Sequence, residues 1–66
     1  MKRNYFVTIY RKDHTAITEL LYTLRDANTR ALSIVDSPVR DWDIVKYGRV
    51  TANTIDTFGS YYSFGR

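Results

Sequence analysis

Sixty-six residues make one domain, residues 1–66, and a chain this short buries only about 60% of its unfolded surface, so its core is thin. With no Cys, disulfides and Cys-based zinc sites are excluded as supports, which leaves a hydrophobic core that a homodimer interface could extend. A hydrophobic share of 44% excludes a disordered chain, no apolar run approaches the roughly 18 residues a membrane helix needs, and a net charge of +3 is small for a nucleic-acid packer.

The N-terminus carries Lys2, Arg3, Arg11 and Lys12 with no acid among them. Positive charge ahead of an apolar stretch is the opening of a signal peptide. Here that stretch spans only residues 5–10 and no small-residue cleavage site follows, so the chain is expected to stay in the cytoplasm. Residues 4–11 alternate instead, with Tyr5, Val7 and Ile9 on one face and Phe6, Thr8 and Tyr10 on the other. Aromatic and β-branched residues in that pattern predict a strand covered in part on both sides.

Residues 15–35 admit two readings. Ile17, Leu20, Leu21, Leu24, Ala31 and Val35 nearly fit one helical face, which would give a single long helix and a βαββ chain. Against it, Thr15, Ile17, Thr18, Tyr22 and Thr23 lose rotamer freedom in a helix. Thr23 followed by Asp26 has the form of a capping box, and Leu24, Ala27, Ala31 and Val35 then make an apolar stripe. That spacing predicts a strand over 15–22, paired to the first through a turn at 12–15, and a helix over 23–35. Pro38 stops the helix by pushing Ser37 out of the α region.

A long strand is predicted over 41–52, with Trp42, Ile44 and Val50 on one face and Val45, Tyr47, Arg49 and Thr51 on the other. Gly48 inside it marks a bulge, a bend or a close approach. A turn is expected at Ala52, Asn53 and Thr54, with Asn53 able to take the left-handed conformation. A last strand over 55–64 places Phe58, Tyr62 and Phe64 opposite Thr57, Tyr61 and Ser63, with a kink at Gly59. The expected fold is α+β: ββαββ, a four-stranded antiparallel sheet with one helix packed on one face.

Catalytic signals are weak. His14 beside Asp13 has the pairing of a general base, but both stand in a predicted turn that favours such residues anyway. Asp41 and Asp43 share a predicted strand face, without the further acids or Gly-rich loop that a cation site wants. There is no phosphate-binding loop and no nucleophile elbow, so the sequence implies no enzyme, no cofactor and no metal.

The aromatic residues are more informative. Six Tyr and three Phe exceed what one small core hides, and one helix covers one sheet face. Tyr10, Tyr47 and Tyr61, with Lys12 and Arg49, are the candidate partner-binding residues, because Tyr and basic side chains combine contact area with hydrogen-bonding tips. The same pairing can stack bases and grip phosphates, so a single-stranded DNA or RNA module is the alternative. Asp41, Asp43 and Asp56 lie close to Arg49 in sequence, and that mixed charge suits a protein partner better. The plain account is that Tyr favours strands and covers an open face.

In layout the chain resembles the small phage-encoded inhibitors, among them anti-CRISPR proteins and inhibitors of host RNA polymerase. The likeness covers the whole chain and rests on its length below 70 residues, the lack of Cys, the ββαββ order, the abundance of Tyr and a helix that reads Thr23, Asp26, Ala27, Ala31. It implies a stoichiometric blocker of a larger host complex that performs no chemistry. Many such inhibitors are acidic and mimic nucleic acid. This chain is basic, which leaves steric blocking.

Overall fold

Alternating aromatic and β-branched side chains place the first strand, and a computed structural model, which describes residues 2–63, shows it as β1 (Tyr5–Arg11). It is followed by β2 (Ala16–Leu21), α1 (Leu24–Asp36), β3 (Trp42–Val50) and β4 (Ile55–Tyr62), the ββαββ order. Residues 15–35 therefore divide into strand and helix. The Thr23 hydroxyl accepts from the Asp26 amide at 3.0 Å and starts α1. A cap of this kind stabilises a helix by about 1 kcal/mol.

Between β1 and β2 the Asp13 carboxylate accepts from the Thr15 amide at 3.0 Å and from the Thr15 hydroxyl. Those bonds, the hydroxyl one foremost, hold the Asp13 carboxyl below its ordinary range. His14 takes the left-handed conformation at φ 71°. It is His14 that does so, and Asn53 does not, because the tight first hairpin needs a positive φ while the second closes with the Thr51 amide donating to the Thr54 carbonyl at 2.8 Å.

The sheet is antiparallel in the order β2-β1-β3-β4. Connecting β2 to β3 requires α1 to cross over β1. It therefore packs mainly on β3 and β1, less on β2, and leaves β4 at the margin. Ala27, Ala31 and Val35 face the sheet and are sealed against Val7, Val45 and Trp42. Two alanines let the helix axis come close. Each larger side chain fully buried there contributes about 1.5–3 kcal/mol. Arg30 of α1 donates to both carboxylate oxygens of Glu19 on β2 at 3.0 Å, tying the helix to that edge. That bond raises the Arg30 guanidinium pKa further.

Two irregularities change which residues share a face. In β3, Tyr10 pairs with Ile44 but Arg11 pairs with Trp42, so Asp43 is extra. Trp42 is thereby turned under the helix beside Val45, rather than lying with Ile44 and Val50. Its indole N–H has no hydrogen-bond partner among the described residues. In β4, Gly48 pairs with Thr57 and Tyr47 with Gly59, so Phe58 is extra. Thr57 and Tyr61 consequently lie on opposite faces, against the simple alternation. Phe64 lies outside the described residues.

Candidate functional site

The face turned away from α1 is built by strict register. β1 contributes Phe6, Thr8 and Tyr10; across it on β2 stand Leu20, Thr18 and Ala16. On the other side β3 contributes Gly48, Lys46 and Ile44, then Val50, and β4 adds Thr57, Ser60, Tyr62 and Ile55. No second layer among the described residues covers them, and Tyr10, Leu20, Ile55 and Tyr62 are all exposed, Ile55 by 70%.

Phe6 is the exception, at 5% exposure. It lies opposite Gly48, where a Cβ would come within 1.9 Å of the Asp56 carbonyl oxygen. The missing side chain lets the β4 backbone bend close over β3 at the Phe58 bulge. The result is a shallow groove of about 240 Å³ lined by Phe6, Thr8, Tyr10, Lys46, Ile55 and Thr57 among others. The Thr8 and Thr18 hydroxyls satisfy each other at 3.1 Å. The Lys46 ammonium lies 5.6 Å from the centre of the Tyr10 ring, a cation–π contact.

The five partner-binding residues expected from the sequence do not form one surface. Tyr10 stands on the open face. Lys12 is in the first turn, where its amide donates to the Asp41 carbonyl at 2.9 Å. Tyr47, Arg49 and Tyr61 are on the helix side, where β4 extends past α1. There the Tyr47 and Tyr61 rings stack with centroids 6.2 Å apart, and Arg49 pairs with Asp56 at 3.4 Å. Gly59 admits this stack, because a Cβ on it would meet the Tyr47 ring at 2.5 Å. Burial raises the Tyr61 hydroxyl pKa first, and Tyr47 and Asp36 add to it.

The sequence reading missed Phe6, Lys46 and Ile55. Lys46 was legible as a residue two from Ile44 and two from Gly48, hence on their face. Ile55 was hidden because unbroken alternation puts it opposite Ser60 and Tyr62, and the Phe58 bulge brings the three onto one face. Asp41 pairs with Arg11 at 3.3 Å. Among the described residues no three His, Asp or Glu side chains come together. No helix among them is long and apolar enough to cross a membrane. No family model matches the chain, and no curated protein and no solved structure matches it either.

Proposed function

We propose that this chain is a non-enzymatic protein-binding regulator or inhibitor whose contact surface is the open sheet face. One observation carries the reading: an uncovered face presents Tyr10, Leu20, Ile55 and Tyr62 around a groove floored by Phe6. Large apolar and aromatic groups around a concavity, with few charges, are the anatomy of an interface centre. The layout shared with phage-encoded inhibitors extends the reading to a partner class: a host nucleic-acid-processing complex, such as a CRISPR effector or RNA polymerase, blocked sterically.

A single-stranded DNA or RNA module is the second reading. Tyr10 and Lys46 stand together at the middle of the face, the pair with which a sheet stacks a base and neutralises a phosphate. One ammonium among the described residues of the face is little charge for following a phosphate backbone.

Affinity capture from a host lysate tests the proposal, using the tagged chain beside Tyr10→Ala and Tyr61→Ala. The expected result is a protein retained in stoichiometric amount by the wild type, with Tyr10→Ala weakening it by about 2 kcal/mol and Tyr61→Ala by much less. The reverse order of effects moves the contact to the stacked tyrosines beside α1. Retained nucleic acid that washes off steeply with salt establishes the second reading instead.

A further inference from the structure

Lys46 is half-buried at the middle of a central strand, and its neighbours across the sheet are Thr8 on β1 and Ser60 on β4. Beside it along β3 on the same face stand Ile44 and Gly48. None of these carries charge. Elsewhere Arg11, Arg30 and Arg49 each hold a carboxylate, those of Asp41, Glu19 and Asp56. Lys46 has no carboxylate partner among the described residues and rests on the Tyr10 ring. The Tyr10 ring is what its charge meets within the fold, a weak attraction beside that of a carboxylate, so the ammonium stays available to an acid from outside.

We propose that the open face receives a protein segment presenting one Asp or Glu carboxylate between apolar side chains. This rests on the protein-binding reading above and specifies the partner's chemistry. Lys46 pairs with the carboxylate, while Phe6, Val50 and Ile55 seat the apolar neighbours in the groove. Charge argues against a second copy of this chain as occupant. Two copies stacked face to face about a two-fold axis through Lys46 bring that ammonium near its own counterpart, while Asp43, the acid beside Tyr10, Ala16 and Ile44, stands at the end of the face. A single ammonium also matches one carboxylate better than a phosphate backbone, which needs a track of cations.

The test is selection of a displayed random dodecapeptide library on the immobilised full chain, followed by titration of the enriched peptides. The expected result is enrichment of Asp or Glu flanked by apolar residues. Affinity for the best peptide should fall about tenfold in Lys46→Met, which keeps the stem, and stay unchanged in Arg25→Met on the exposed side of α1. In Lys46→Glu the preference should invert, so that the same peptide with its acid changed to Lys binds better than the original. Circular dichroism of each variant confirms the fold. Purely apolar peptides lost in Tyr10→Ala but kept in Lys46→Met overturn this inference and leave the docking face standing. Peptides indifferent to both variants, no enrichment at all, or displacement by a thymidine 15-mer overturn it together with that face.

Discussion

Under α1, Val7, Val45, Ala27, Ala31 and Val35 are sealed from water, and the charged side chains at that layer's edges are paired, Glu19 with Arg30 and Arg49 with Asp56. On the opposite face of the same four strands, Phe6 is sealed over Gly48; Tyr10, Leu20, Ile55 and Tyr62 meet water, and Lys46 rests on the Tyr10 ring. The two faces have similar apolar content, so hydrophobicity does not separate them. Pairing does. Folding buries the first face and pairs the charges at its edges, and it leaves the apolar groups and the ammonium of the second in contact with water, which is the condition of a surface that binds something else.

Substitutions of comparable residues on the two faces should break this symmetry most visibly. Trp42→Ala removes the largest buried side chain beneath the helix and should cost about 3–5 kcal/mol, enough to unfold much of a domain this small. Ile55→Ser on the open face should change stability by less than about 0.5 kcal/mol while weakening partner binding. Urea denaturation of both variants checks the pair. An Ile55→Ser loss as large as that of Trp42→Ala would make the open face a second core. Between these extremes stands Gly48→Ala. Its new methyl meets the Asp56 backbone, which cannot swing aside as a side chain would, so a loss of about 1–3 kcal/mol is expected by the same measurement.

Element order was legible because it is local. Alternation marked β1, the Thr23–Asp26 spacing started α1, and Pro38 ended it. The assignment of faces was less so, since a period of two survives only while pairing is regular. Asp43 and Phe58 each insert one residue, and each reverses the parity beyond it, which sent Trp42 inward and separated Thr57 from Tyr61. Gly48 signalled the second irregularity; no residue type announced the first. Nor does alternation show that α1 crosses β1 and stops short of β4, for that follows from strand order. Tyr47 and Tyr61 thus lie beside the helix while Tyr10 lies behind the sheet.

The helix itself tests whether the covered face depends on its start signal. Thr23→Ala removes the acceptor of the Asp26 amide and should lower stability by about 1 kcal/mol, read as a reduced midpoint in thermal or urea denaturation. Open-face binding should be unaffected at temperatures where the domain stays folded, since no residue of α1 reaches that side.

The smallest effect expected is a titration, and it probes the margin between the two faces. Tyr61 lies where β4 runs past α1, and desolvation there raises its hydroxyl pKa above the ordinary value of about 10, with Tyr47 adding to it and the Asp36 carboxylate adding least. The sign is set by which state keeps its proton longer. Below the unfolded value both states hold a neutral phenol and the contribution is fully present. As pH rises past that value the unfolded phenol ionises first, so this part of the stability is lost until the folded group ionises as well. The ring-carbon NMR titration of Tyr61 should therefore have its midpoint above that of an exposed tyrosine, and Tyr47→Phe should bring it down. Asp36→Asn should lower it by less, since its carboxylate contributes least to the shift. A midpoint unmoved by Tyr47→Phe would mean that the Tyr47 hydroxyl does not act on Tyr61, and that burial beside the helix accounts for the shift without it.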